Sequence, residues 1–347
     1  MASDSAQATS ALTLLLGAPG NSGSTLWLLG VVIGILAIAY IVGRLLKNHS
    51  ESSLNPAVIE RFNHRIRVWW MMCAILVAGF LLGRVATVVL FGLVSFWALR
   101  EFITMTPTRR GDHRTLFWVF FFFTPAQYIL VALSMEFYEQ FTIVIPVYAF
   151  LYILARIAVS GDHRRFLERS AKIQAGLFIC VYALSYAPAL LYLPLARSDG
   201  QPWVTSGDSH LPNAGLLFYF ILITQLADVF QNAWTRLVGR RVIAPDVSPS
   251  RTWEGFLGGV TTATLIGALL YRATPFTFWE AACMSMVVAL VGFAGNMVMS
   301  AIKRDRGVAD YGTLVQGHAG VLDRIDSICF AAPVFYHLTR YFFIVGS

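Results

Sequence analysis

Long uninterrupted apolar blocks are the feature that most limits what this chain can fold into. They run for about 16 to 24 residues, which as helices suffices to cross a hydrocarbon core about 30 Å thick. Strands of a membrane barrel would instead alternate apolar and polar residues. Charged residues make up only 13% of the 347-residue sequence, whereas soluble domains carry about a quarter. These observations predict an all-α, polytopic integral membrane protein and exclude a soluble globular domain.

Ten segments have the hydropathy of membrane-spanning helices. They are residues 26–46, 68–83, 85–99, 115–134, 141–158, 173–194, 214–235, 256–271, 281–301 and 327–345. No lysine or arginine precedes Arg44, so the first segment lacks the basic region of a signal peptide and is expected to remain as an anchor. Because no repeat or flexible linker separates the segments, residues 1–347 are predicted to form a single membrane domain.

Lysine and arginine are concentrated in alternate connections between these spans. The segments that hold 22 of the 26 lysines and arginines are 44–67, 100–114, 156–172, 236–255 and 302–326. Basic residues in short loops stay in the cytoplasm, so this alternation predicts about ten transmembrane helices with both termini on the outer side. The formal charge of +7 is thereby explained as a topology signal, and no nucleic-acid partner is expected.

An acidic residue, Asp228, interrupts the predicted span 214–235. Such a residue near the centre of a membrane helix costs about 2.5 to 3.5 kcal/mol on insertion scales, which makes it a candidate site. Gln225, Asp228, Asn232 and Arg236 follow one another at steps of three or four and therefore share one helix face. That face is predicted to look into the protein rather than toward lipid.

A second polar face lies in the span 281–301. Asn296, Ser300 and Lys303 recur at spacings i, i+4 and i+7 toward its predicted cytoplasmic end. We expect this face and that of Asp228 to converge on a cavity open to the cytoplasm. A purely structural alternative, in which these groups only bond one helix to another at about 1 kcal/mol each, stays open.

The segment 300–327 combines carboxylates, cations and glycines. Its ionisable residues include Lys303, Arg304, Asp310, His318, Asp323, Arg324 and Asp326. Carboxylates provide hard oxygen ligands for Mg²⁺, lysine and arginine bind phosphate oxygens, and glycine lets backbone N–H groups approach a polyphosphate. Phosphoryl-type transfer depends mainly on such positioning and charge neutralisation. The segment therefore predicts a Mg²⁺-dependent nucleotide or phosphate site, with a solvated loop that only sets topology as the alternative.

At these residues the sequence resembles the phosphatidate cytidylyltransferase family, also called CDP-diacylglycerol synthases. The family pattern S-x-x-K-R, then K-D, H-G-G and D-R-hydrophobic-D, is matched at Ser300, Lys303, Arg304, Asp310, His318, Gly320, Asp323, Arg324 and Asp326. A second pattern, S-P-x-K-T-W-E-G-x-x-G-G, has arginine in place of lysine at Arg251 and is matched at Ser248, Pro249, Thr252, Trp253, Glu254, Gly255, Gly258 and Gly259. The first six spans agree with the family in hydropathy only.

The resemblance implies transfer of a cytidylyl group from CTP to phosphatidate at the cytoplasmic membrane face, giving CDP-diacylglycerol and pyrophosphate. The expected partners are CTP, phosphatidate or a related lipid phosphate, and membrane lipids, and the expected cofactor is Mg²⁺ with or without a monovalent cation. We expect a bacterial inner (plasma) membrane protein in which 214–347 form catalytic helices and cytoplasmic loops and 1–200 form helices of unassigned role. A homodimer is an arrangement that the sequence leaves open.

Residue roles are implied by the matched positions. Catalytic roles fall to Asp323, Asp326, Asp228, Lys303 and His318, with Asp326 and His318 supporting or orienting the others. The segment 248–259, interpreted as a loop, is expected to help seat the nucleotide, and substrate-binding roles fall to Arg304, Arg324, Ser248, Arg251, Thr252, Glu254, Asp310 and Ser300. The expected metal ligands are Asp323, Asn296 and Asp228.

The chain departs from the family pattern around the predicted site. Asn296 stands where the family usually has an aspartate, which keeps an oxygen ligand and loses a charge. Ala309 and Ala319 replace a lysine and a glycine, and Gln231 and Asn232 replace a small residue and an aromatic. Substrate preference or rate could therefore differ from the family.

Two other functions remain open. A related transferase would use another lipid phosphate or alcohol as acceptor, which the changed metal position favours. A non-enzymatic membrane protein would be either an inactive relative acting as a scaffold or a transporter. Transport is disfavoured because the outer halves of the spans carry few polar residues.

Overall fold

The computed structural model describes residues 82–106, 108–133, 135–197, 203, 213–307 and 320–344, with isolated positions at 30, 34, 77 and 79. Within these ranges the long helices are α1 (Arg84–Met105), α2 (His113–Ala132), α3 (Tyr138–Val159), α4 (Phe166–Tyr192), α5 (Ala214–Val238), α6 (Trp253–Leu269), α7 (Phe278–Arg306) and α8 (Leu322–Phe343). An antiparallel hairpin between α5 and α6 consists of β1 (Val242–Ala244) and β2 (Ser248–Thr252). Separate 3₁₀ turns occur at Arg110–Asp112, Met135–Phe137 and Tyr271–Ala273.

Six of the described helices, all except α6 and α8, are long and apolar enough to cross a membrane. The predicted spans that fall on these six are 85–99, 115–134, 141–158, 173–194, 214–235 and 281–301. The predicted spans 256–271 and 327–345 fall on α6 and α8, which are helical. The chain is therefore a mostly helical integral membrane protein. The spans 26–46 and 68–83 lie almost entirely outside the described residues, so the total of ten and the side of the termini stay predictions.

A glycine in a left-handed conformation precedes α1. Gly83 has a φ of 101°, a backbone geometry that residues with a Cβ rarely adopt, and the helix begins at the next residue, Arg84. The described helix therefore begins within one residue of the predicted span 85–99.

Three neighbouring helices, α2, α3 and α4, each contain a widened π turn, at Val119–Phe123, Val144–Ala149 and Phe178–Ala183. Such turns disturb the regular backbone ladder, so some carbonyl groups need donors from elsewhere in an apolar surrounding. The Ser95 hydroxyl donates to the Cys180 carbonyl at 2.7 Å, and the Gln127 amide donates to the Phe141 carbonyl at 3.1 Å. Buried polar side chains of neighbouring helices thus provide donors for two of these backbone carbonyls.

The packing of α5 against α7 and α8 fixes the helix that carries Asp228. The rings of Phe220 and Phe335 stack with their centroids 5.0 Å apart, which joins α5 to α8. The Tyr219 hydroxyl lies 2.6 Å from the Ser285 hydroxyl, which joins α5 to α7. All four of these side chains are buried. These contacts hold α5 against both α7 and α8.

A row of glycines on α6 allows its backbone to approach α5 closely. A Cβ added at Gly255 or Gly258 would lie less than 3.0 Å from side-chain atoms of Thr235 or Trp234 on α5. A Cβ at Gly259 would lie equally close to Gln231. Small residues at a membrane helix interface permit such close packing. These glycines belong to the matched segment 248–259, whose second half is thus the start of a helix rather than a loop.

A buried ion pair joins two of the predicted cytoplasmic connections, 100–114 and 156–172. The Arg169 guanidinium Nε donates to both carboxylate oxygens of Asp112, at 3.1 and 3.0 Å. Arg169 is 5% exposed and Asp112 is fully buried. Glu168, the neighbour of Arg169, interacts electrostatically with Arg306 at the end of α7. The ion pair therefore lies at the end of the bundle where α7 ends.

Candidate active site

The carboxylate of Asp228 is the meeting point of three helices. Its Oδ1 accepts a hydrogen bond from the Asn296 amide of α7 at 2.5 Å, and its Oδ2 accepts one from the Ser327 hydroxyl of α8 at 2.7 Å. Asn296 and Ser327 are buried. The two polar faces expected from sequence periodicity therefore do meet. Ser327 was not predicted, although it lies four residues after Asp323 and so shares a helix face with it.

A second group of charges lies beside this carboxylate. The Lys303 ammonium of α7 forms an ion pair with the Asp323 carboxylate of α8 at 2.5 Å, and both side chains are largely buried. The buried carboxylate of Asp326, one turn further along α8, interacts electrostatically with Lys303, Asp323 and Asp228. Asp323 and Asp326, the two aspartates of the D-R-hydrophobic-D pattern, thus lie against α5 and α7.

Arg251 approaches the site from the hairpin. Its guanidinium donates to the Gln231 side-chain oxygen at 3.1 Å and interacts electrostatically with Asp228. Gln231 is 1% exposed, and its amide nitrogen has no hydrogen-bond partner among the described residues. Arg251, predicted to bind substrate, therefore lies near Asp228, and Gln231, noted only as a departure from the family, orients its guanidinium.

Two other residues of the matched segment make contacts that shape the connection between α5 and α6. The Thr252 hydroxyl accepts a hydrogen bond from the Gly255 backbone at 3.1 Å, which caps α6, and donates to Thr235 at 3.2 Å. The Glu254 carboxylate accepts hydrogen bonds from the backbone of Arg240 and Arg241, at 3.0 and 3.2 Å. These bonds, that from Arg240 first, lower the pKa of Glu254 below its ordinary value. Substrate contacts of Thr252 and Glu254 stay predictions.

The remaining predicted substrate-binding residues surround the same region. The Arg304 guanidinium donates to the Val247 carbonyl of the hairpin at 3.4 Å. The Ser300 hydroxyl donates to the Asn296 carbonyl on its own helix at 2.7 Å. The Arg324 carbonyl accepts a hydrogen bond from the Gln225 amide at 3.0 Å, and Ser248 is buried in β2. The predicted residues Asp310 and His318, and the departures Ala309 and Ala319, lie outside the described residues.

The predicted metal ligands are arranged in two parts. Asp228 and Asn296 are in direct contact, whereas Asp323 is paired with Lys303. In the described part of the chain, no three histidine, cysteine, aspartate or glutamate side chains are close enough to hold a metal ion. Mg²⁺ usually takes one or two protein carboxylates and completes its shell with water and substrate phosphates. Asp228 and its hydroxyl and amide neighbours, all of which carry oxygen atoms, fit that pattern.

Comparison with known proteins identifies the family to which this chain belongs. A model of the cytidylyltransferase family matches residues 63–342, which include the whole site described above. The chain therefore belongs to the cytidylyltransferase family, and its class is that of the nucleotidyltransferases.

Individual relatives differ in how much of the chain they match. The uncharacterized protein YnbB of Escherichia coli (strain K12) is 37% identical over 284 residues, which cover 80% of this chain and 87% of that protein. The phosphatidate cytidylyltransferase of Synechocystis sp. is 34% identical over 156 residues, 43% of this chain and 51% of the enzyme. That of Haemophilus influenzae is 34% identical over 145 residues, 40% of this chain and 50% of the enzyme. The chain thus matches about half the length of these named enzymes.

Proposed function

We propose that this protein transfers a cytidylyl group from CTP to phosphatidate, producing CDP-diacylglycerol and pyrophosphate. The observation that carries the proposal is the convergence of Asp228, Lys303 and Asp323, from three different helices, at one site in a chain of the cytidylyltransferase family. The phosphatidate cytidylyltransferases among its relatives support the choice of lipid.

In the proposed reaction a phosphate oxygen of the lipid attacks the α-phosphorus of CTP. A new phosphorus–oxygen bond forms, the bond from the α-phosphorus to the oxygen bridging to the β-phosphate breaks, and pyrophosphate leaves with that oxygen. The transition state carries negative charge on its phosphoryl oxygens, so the protein must supply positive charge and fixed geometry. Lys303, Arg251 and Arg304 are the cations that approach the site from α7 and the hairpin, and we assign them to the phosphates.

A divalent cation bound with the nucleotide would neutralise phosphate charge and orient the triphosphate. Asp228, with Asp326 close to it, would hold that cation, and Asn296 would contribute a neutral oxygen. Asp323, through its ion pair, holds the Lys303 ammonium in one position. Binding of a phosphate by Lys303 would then compete with this pair and leave Asp323 available to the cation, as the family resemblance implies.

We further propose that the site faces the cytoplasm of a bacterial inner membrane, with about ten helices and both termini outside. The distribution of lysine and arginine supports this orientation. Both substrates could meet there, because CTP is a cytoplasmic nucleotide and phosphatidate presents its phosphate at the membrane surface.

The test is a reaction of purified, lipid-reconstituted protein with labelled CTP, phosphatidate and Mg²⁺. We expect a chloroform-soluble liponucleotide that migrates with CDP-diacylglycerol, and release of one pyrophosphate per molecule formed. A parallel series replaces phosphatidate by other lipid phosphates and by lipid alcohols. A product with one of these and none with phosphatidate would replace the proposed acceptor, and no product with any acceptor would identify the chain as an inactive relative.

A further inference from the structure

A carboxylate from the N-terminal half of the chain holds the beginning of α8. Glu101, near the end of α1, accepts a hydrogen bond from the Val321 backbone N–H at 3.0 Å through Oε1. Its Oε2 accepts one from the Leu322 backbone N–H at 2.9 Å. The helix begins at Leu322, so the carboxylate binds the two N–H groups at its entrance.

These two bonds satisfy donors that the helix itself cannot satisfy. The first N–H groups of an α-helix have no partner within the helix, and its N-terminus carries partial positive charge. The residue before α8, Val321, has no polar side chain that could cap it. A distant glutamate therefore provides the cap, with charge-assisted hydrogen bonds that are stronger than neutral ones.

The first two turns of α8 carry two residues that contact the other helices of the site. Asp323 directly follows Leu322 and forms the ion pair with Lys303, and Ser327 lies one turn further on, bonded to Asp228. A shift or rotation of the first turn of α8 would move both contacts together. Displacements of about 1 Å can cost a hundredfold in rate when catalytic groups act by positioning.

We propose that Glu101 is a positioning residue, which sets the place and rotation of α8 so that Asp323 and Ser327 meet α7 and α5. This gives the helices before residue 200 a role in the reaction. The effect on catalysis rests on the proposed function. The contact of the Glu101 carboxylate with the start of α8, here called the tether, does not.

The tether is tested by hydrogen–deuterium exchange of the backbone over residues 320–327 in reconstituted protein. Glu101→Ala removes both acceptors and Glu101→Gln keeps an oxygen but loses the charge. The matched control is Glu168→Gln, because Glu168 lies at the same end of the bundle but pairs with Lys172 on its own helix. We expect about tenfold faster exchange in Glu101→Ala, a smaller increase in Glu101→Gln and none in the control. Unchanged exchange in Glu101→Ala would overturn the inference.

Activity of the same variants then separates positioning from folding. We expect kcat of Glu101→Ala to fall about tenfold or more, Glu101→Gln to lie in between, and KM for phosphatidate and the thermal midpoint to stay near those of the unmodified protein. A lower midpoint with unchanged kcat per folded molecule would contradict a positioning role. If the unmodified protein forms no liponucleotide, the proposed function fails, and the exchange experiment alone decides the tether.

Discussion

Asn296 donates a hydrogen bond to Asp228 and so joins α7 to α5 at the centre of the site. An aspartate in its place would bring a second negative charge against the first. The amide instead gives Asp228 a neutral partner, and Ser327 gives it another. Hydrogen bonds from α7 and α8, together with the nearby guanidinium of Arg251, therefore hold this carboxylate between the helices.

Replacing Asn296 by aspartate should make the site depend more strongly on Mg²⁺. Two carboxylates in contact repel each other, and a bound cation relieves that repulsion. Each added negative charge also attracts the cation, by about 4 kcal/mol for unit charges 4 Å apart at an effective dielectric constant of 20. We expect Asn296→Asp to lower the Mg²⁺ concentration for half-maximal activity about fivefold or more. Its thermal midpoint should fall without Mg²⁺ and rise more steeply with added Mg²⁺. An unchanged metal requirement with unchanged activity would place Asn296 outside the site.

Asp323 should be required for catalysis but not for folding. Asp323→Asn keeps the size of the side chain and removes the charge that pairs with Lys303. We expect liponucleotide formation to fall about a hundredfold or more, while the variant is still extracted from membranes as folded protein. Its thermal midpoint should fall by less than that of Asp112→Asn, because the Lys303–Asp323 pair is less completely buried than the Arg169–Asp112 pair. Asp305→Asn is the matched control, because that exposed carboxylate lies at the end of α7 and pairs with its neighbour Arg306. Normal activity of Asp323→Asn would refute its assigned role.

The ion pair of Asp112 with Arg169 should be a major contributor to stability. Removing one member of a buried pair leaves the other charged and unpaired, which costs about 3 to 5 kcal/mol. We expect Asp112→Asn to lower the midpoint of thermal unfolding, measured in detergent, by several degrees. Asp162→Asn provides the comparison, because Asp162 binds Arg109 and Arg169 from a more exposed position. An equal effect of the two substitutions would contradict the assigned burial.

Backbone hydrogen exchange in the hairpin should depend on the protonation of Glu254. Hydrogen bonds from the backbone of Arg240 and Arg241 lower the pKa of this carboxyl, so its stabilising effect is present at neutral pH and is lost as the pH falls through that lowered pKa. Glu254→Gln should therefore speed hydrogen exchange over residues 240–254 at pH 7. The difference from the unmodified protein should vanish only once the pH falls below this lowered pKa. A difference that persists in acid would assign the effect to the shape of the side chain.

The proposed orientation can be measured with single cysteines in a background without the natural ones. Asp246→Cys, in the hairpin connection, should react with an impermeant thiol reagent only from the cytoplasmic side. Asp199→Cys should react only from outside, because its connection contains few basic residues. Labelling of both positions from the same side would refute the predicted topology.

Local periodicity predicts much of this site because helix geometry is regular. Asp228 and Asn296 lie on polar faces that can be read from steps of three and four, and apolar length locates six described spans. Contacts between distant segments have no such signature. Glu101 precedes its partner Leu322 by 221 residues and binds its backbone, which any residue type would offer. The glycines of α6 likewise belong to the segment 248–259, which the resemblance leads us to expect as a loop that helps seat the nucleotide. Only the packing shows that they accommodate α5.

The glycine row on α6 also limits how this protein can vary. Any side chain added at Gly255, Gly258 or Gly259 would overlap α5, so these positions should accept almost no substitution in a mutational scan selected for function. The sequences of α5 and α6 can therefore change at this interface only together.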